Sequence, residues 1–178
     1  PWARRRGLGR ALVRRMLPEF SGGETVTVTT YRPDDPLGAA AGPFYAALGF
    51  VPGADVVAHG HPERTMTLFI PLETEHLFLR PFREADFPAF LTLLDMPEVP
   101  GWGMQKPRAR AFFEWHMENA RKMDIVNGIV CLGAFEKAAG ALVGAAGAGK
   151  HDDLGETEVF YSILPEYRRR GYATEACR

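Results

Sequence analysis

Thr157, Val159, Tyr161 and Ile163 alternate with Glu158, Phe160 and Ser162, a period of two that predicts a strand, and Pro165 stops it. The basic run Arg168-Arg169-Arg170, then Gly171 and good helix formers, turns that strand into a helix. Near the other end, Leu8, Ala11, Leu12 and Met16 fall at helical spacings while Arg10, Arg14 and Arg15 lie elsewhere on the wheel. The pattern predicts an amphipathic helix within 1–17, ended by Pro18 and the turn Ser21-Gly22-Gly23. Between these ends the β-branched run TVTVTTY predicts a strand over Thr25–Tyr31. A short helix over 43–50 has Pro43 in its first turn and Gly49 at its stop. Strands are expected over 64–72 and 76–80. Phe87, Phe90, Leu91 and Leu94 set a helix over 86–95 with Asp86 as its N-cap. After a Pro- and Gly-containing loop that holds Trp102, a helix over 107–123 would bury Phe112, Phe113, His116, Met117 and Ala120. Apolar strands over 128–135 and 141–148 form a hairpin, and the small residues of ALVGAAGAG imply close packing or a bulge.

Composition narrows the field. With 178 residues and 46% hydrophobic content the chain can bury a sizeable core. A net charge of −1 argues against a general nucleic-acid binder, so the arginine clusters are local features and no nucleic-acid partner is expected. No apolar run is long enough to span a bilayer and no secretory leader is legible, so the expectation is a cytoplasmic protein without a membrane partner. Cys131 and Cys177 are too few for a disulfide framework, and His59-x-His61 lacks a third ligand, so it reads as an exposed loop. No metal is expected. His116 reads as a core histidine.

The chemistry lies at the two basic corners, Arg168-x-x-Gly171-x-Ala173 and Arg4-x-x-Gly7-x-Gly9. Each would aim unpaired backbone N–H groups and the positive end of a helix dipole at one spot, a place for an anion. The spacing resembles the pyrophosphate-binding signature of the GNAT superfamily of acetyl-CoA-dependent N-acetyltransferases. TEHLFLRPFREADF is similar to the opening of the branch that acetylates ribosomal-protein N-termini, and VTVTTYRPDD with GPFYAALGFVPG resembles a second signature of the superfamily. The resemblance implies an α/β fold, a mixed, mostly antiparallel sheet flanked by helices. It also implies acetyl-CoA as acyl donor, held by Arg4, Arg5, Arg6, Gly7, Leu8, Gly9 and Arg10 and by Arg168, Arg169, Arg170, Gly171, Tyr172, Ala173 and Thr174. Tyr45 falls where the family often places the general acid that protonates the departing thiolate; the competing reading is a core aromatic beside Phe44 and Leu48. An amine must lose a proton before attack, so a carboxylate near the fourth strand is expected as base, with Glu158 first and Glu156 next. That role presumes burial, which would raise the carboxylate's pKa.

The family's order is reversed here. Residues 1–72 resemble the C-terminal half of one such domain, 73–75 are a junction, and 76–178 resemble the N-terminal half of a second. Closing both into one permuted domain would span on the order of 20 Å through a junction that reaches at most about that far, so two half-domains from a tandem protein are favoured. Exposed strand edges would then pair with another chain, as in a homodimer. The expected activity moves an acetyl group to a primary amine, a protein N-terminus or a small molecule. A non-catalytic acyl-CoA-binding regulatory module is the alternative, and a nucleic-acid surface is the weakest reading.

Overall fold

The computed structural model describes residues 6–96, 103–151 and 155–178. The chain divides into two units, 1–71 and 72–178, each with its own sheet.

In unit 1, helix α1 (Leu8–Met16) runs into a 3-10 turn over Leu17–Glu19, so Pro18 tightens the helix end. Strand β1 (Thr25–Tyr31) coincides with the β-branched run. Helix α2 (Ala41–Ala46) precedes β2 (Val51–Ala58) and β3 (His61–Phe69), and the antiparallel order is β1-β3-β2. Strand β2 was not expected, because Pro52, Gly53 and Asp55 break its alternation. The pairing skips from Pro52 to Asp55 through a bulge, and a Cβ at Gly53 would lie 2.4 Å from Thr65 Oγ1. His59 and Gly60 take left-handed φ of 51° and 78° and close a tight hairpin. His61 is therefore a strand residue. The core is small: Phe50, Met66 and Leu68, with Val13, Leu17, Val26, Val28, Tyr45, Leu48 and Ile70 packed against them. The inward side of α1 carries Gly9 and Val13, since a Cβ on Gly9 would lie 3.2 Å from the Phe44 ring. Leu8, Leu12 and Met16, expected as its buried stripe, are 49%, 65% and 59% exposed.

Unit 2 is an antiparallel sheet in the order β4-β5-β6-β7-β8: Leu72–Glu73, Leu77–Arg80, Ile129–Glu136, Leu142–His151 and Glu156–Ile163. Leu72 opens β4 rather than closing the preceding strand, and it faces Leu79. Helices α3 (Phe87–Leu93) and α4 (Ala109–Lys122) cover one face, where Phe82, Phe90, Leu93, Leu94, Phe113, Cys131 and Ala145 are buried. Asp86 stands at the N-cap position of α3, as expected, but its side chain makes no capping bond to that helix. Its carboxylate takes a two-pronged ion pair from Arg80, at 2.7 and 3.0 Å, and accepts the Arg83 N–H at 2.6 Å. Strand β7 owes its small residues to both anticipated causes. Val143 is the extra residue of a bulge where the register shifts at Ala134 and Phe135. A Cβ on Gly147 would lie 2.0 Å from the Val130 carbonyl oxygen and 2.7 Å from the Phe160 ring. Helix α5 (Tyr172–Ala176) follows β8 through a 3-10 turn over Pro165–Tyr167. Among the described residues no helix is long and apolar enough to cross a membrane.

Candidate functional site

The two basic corners share one backbone geometry. Gly7 precedes α1 at φ 77°, ψ 2°, and Gly171 precedes α5 at φ 85°, ψ −5°. Only glycine adopts this left-handed region freely, and a Cβ at either position would meet nothing within 4 Å. Steric crowding inside the protein is therefore not what requires glycine; the turn of the chain is. Ala11 N–H closes on the Gly7 carbonyl and Glu175 N–H on that of Gly171, each at 3.0 Å, so both glycines stand at the first turn of a helix. The N–H groups ahead of that closure have no partner within the helix.

At the second corner these amides border a cleft of about 470 Å³ along β8. Gly171, Tyr172, Ala173 and Thr174 line it with Arg168 and Arg169, and Tyr161, Ile163, Tyr167 and Met96 form the apolar side. Sequence reasoning did not assign those last four to the site. The alternation of β8 could have given Tyr161 and Ile163, while Met96 comes from a distant segment with no local sign.

The three arginines do different jobs. Arg168 turns inward, donating from Nε to the Ile163 carbonyl at 2.9 Å, with Nη2 at 4.0 Å from Met96 Sδ. Arg170 donates to the Glu166 carbonyl at 3.2 Å, approaches Glu136 at 3.6 Å and lies over the Tyr167 ring. These two brace the corner. Arg169 forms no ion pair with a described residue, is exposed, and holds a left-handed φ of 62° without being glycine. Such a backbone costs about 1 kcal/mol, and the corner retains it where a free cation borders the cleft. Beneath, buried Tyr172 donates its hydroxyl to Glu136 at 2.6 Å, and that anion beside it raises the phenol's pKa.

At the first corner Arg4 and Arg5 lie outside the described residues, while Arg6, Leu8 and Arg10 are exposed. At Gly9 a Cβ would lie 3.2 Å from the Phe44 ring, so packing against α2 is one reason for glycine there. Tyr45 sits on α2, its ring edge-on to Phe44 at 5.1 Å and to Phe50 at 5.3 Å, within the small core. Glu158 is exposed on β8 opposite Gly149 and is not among the residues lining the cleft, and Glu156 is exposed too. The burial that the base role presumed is absent. His116 is 3% exposed among Phe90, Phe112 and Trp115, and burial drives its pKa down to about 4. Trp102 falls outside the described residues. Among those described, no group of three or more His, Cys, Asp or Glu side chains is placed to hold a metal ion.

The family model for the acetyltransferase (GNAT) domain matches residues 76–178, more than half of the chain. Among solved structures the chain is similar to an acetyltransferase from Agrobacterium tumefaciens str. C58, with 28% identity over 60% of this chain and 61% of that one and a TM-score of 0.48. It is similar also to a GNAT-family acetyltransferase from Bacillus anthracis, with 21% identity over 58% and 59% of the two chains and a TM-score of 0.42. The chain thus spans less than two thirds of the length of either. No match is found among curated proteins.

Proposed function

Because the chain belongs to the acetyltransferase (GNAT) family, we propose that it uses acetyl-CoA as donor and moves the acetyl group to a primary amine, either a protein N-terminus or a small-molecule amine. One observation supports this reading: within the matched region, the left-handed Gly171 starts a helix whose first residues, Tyr172, Ala173 and Thr174, line the cleft beside β8 and whose N–H groups have no partner within that helix. A diphosphate would rest there, with Arg169 as its exposed cation and Arg168 and Arg170 holding the loop in shape. In the transfer, the amine nitrogen bonds to the thioester carbonyl carbon, the C–S bond breaks, and the sulfur leaves with the electron pair. The amine must shed one proton and the thiolate must gain one. The exposure of Glu158 points to water as the carrier of the amine proton. Tyr45 is the proposed donor to the thiolate of the domain to which unit 1 contributes, the two units being halves of successive domains.

Tyr45 packed in a core and Glu158 open to solvent also favour a second reading, a regulatory module that binds acyl-CoA without turnover. Titration calorimetry with coenzyme A, paired with thiol release from acetyl-CoA over a panel of peptides and amines, separates the two. Affinity with turnover supports the enzyme, affinity without turnover supports the module, and no affinity overturns both.

A further inference from the structure

The cleft-lining amides can hold an anion only if α5 is aimed correctly, and a helix of five residues at the sheet's face has little of its own to fix it. Resting on the acetyl-CoA reading above, we infer that Glu175 is a positioning residue whose carboxylate, gripped by Thr74 and His76, sets the direction of α5 and hence of the Gly171–Thr174 amides. Glu175 Oε1 accepts from the Thr74 hydroxyl and from the His76 backbone N–H at 2.6 Å, and Oε2 lies 3.0 Å from His76 Nδ1. The turn between β4 and β5 is shaped for this. Leu77 N–H donates to Thr74 Oγ1 at 3.1 Å, and of the two acceptors within reach of the hydroxyl, the Leu77 carbonyl at 3.2 Å and the Glu175 carboxylate, the carboxylate is nearer and charged.

Two attachments one helical turn apart define an axis. The first is Tyr172 on Glu136, and the second is Glu175 on the turn. Lys137 stiffens the receiving side, donating its backbone N–H to the His76 carbonyl at 2.8 Å and its ammonium to the Thr74 carbonyl at 2.6 Å and to Glu73 at 3.1 Å. Partial burial would raise the pKa of Glu175, yet the donors from Thr74 and His76 hold it at about 2. Its partner moves the opposite way: the hydrogen bond to Glu175 raises the His76 pKa, with Glu75 and Glu136 adding to it. The Tyr172 ring stands 6.2 Å from the imidazole. The charged form of His76 is thus the one that grips, and the grip weakens as pH rises through the raised imidazole value.

The test is calorimetric titration of the full chain with coenzyme A from about pH 6 to about pH 8, a range that starts near the ordinary imidazole value and runs in the direction of the shift. The wild type is compared with E175A, E175Q and H76Q, and each variant's melting temperature is recorded. E175A is expected to weaken coenzyme A binding about tenfold, the scale of one lost charge-assisted hydrogen bond, and to lower the melting temperature as well, since the contacts that hold its carboxyl pKa at about 2 also stabilise the fold. The pH profile of H76Q is the readout that a purely structural role would not move. Wild-type affinity is expected to fall with rising pH. E175Q, which keeps an acceptor oxygen without the charge, and H76Q, which keeps the backbone donor, should each flatten that profile. Wild-type affinity in E175A, or an unchanged pH profile in H76Q, overturns the positioning role and leaves the acetyl-CoA reading intact. A wild-type chain that does not bind coenzyme A overturns both.

Discussion

His116 should make unit 2 labile to acid, and the size of the effect follows from its surroundings. Its side chain sits on α4 at 3% exposure against three aromatic rings, and burial alone lowers its pKa from 6.5 to about 4. Because the folded value lies below the unfolded one, the unfolded chain binds the extra proton between these two values. Stability is therefore intact above about pH 6.5, is lost as pH falls toward 4, and changes no further below it. The full gap is worth about 3 kcal/mol at about 1.4 kcal/mol per pH unit, and about 2 kcal/mol of it is already lost at pH 5. Urea denaturation followed by tryptophan fluorescence, with Trp2→Phe introduced into both proteins, reports on this unit, where the Trp115 ring stacks on Phe112 at 6.1 Å. Comparing the wild type with His116→Phe at pH 7 and pH 5 isolates the histidine. The wild type should lose about 2 kcal/mol more than the variant over that interval. Equal losses in the two proteins would refute the reasoning.

Gly171→Ala should cost about 1 kcal/mol of stability from backbone strain alone, since its Cβ meets no neighbour, and thermal melting checks it. Gly147→Ala forces a carbon onto the Val130 carbonyl and should cost about 3 kcal/mol or more in the same assay. Asp86→Ala strands Arg80 and frees the Arg83 amide, and should lower stability by about 2 kcal/mol in urea denaturation. Cys131 is fully buried, with its thiol pKa pushed up by burial, whereas Cys177 is exposed. Of the two cysteines, a thiol reagent should modify Cys177 in the native chain and Cys131 only after denaturation.

What the sequence made legible was what repeats locally. The β-branched run at Thr25–Tyr31, the alternation of β8 and the strand-to-helix corner after it all lie within a few residues of their cause. Strand β2 escaped because a bulge at Pro52 and Gly53 erases the period of two, even though the strand pairs along its length with β3. The face of α1 was misread because periodicity shows that a helix has an apolar side, not which neighbour will cover it. The tight contact between Gly9 and Phe44 turned Val13 inward and Leu12 outward. Asp86 stands at the N-cap as its place before an apolar run predicts, but the guanidinium of Arg80, six positions earlier, claims its side chain. The grip on Glu175 could not be seen at all, since Thr74 and His76 lie 101 and 99 positions away.

At its three glycines strand β7 leaves no room for a side chain. Beside Gly147, a Cβ on Gly144 would lie 2.2 Å from the Ser162 carbonyl oxygen, and one on Gly149 would lie 2.6 Å from that of Gly128. Sequence drift along this strand is therefore confined: a codon change at any of the three glycines threatens the backbone pairing itself, whatever residue it introduces.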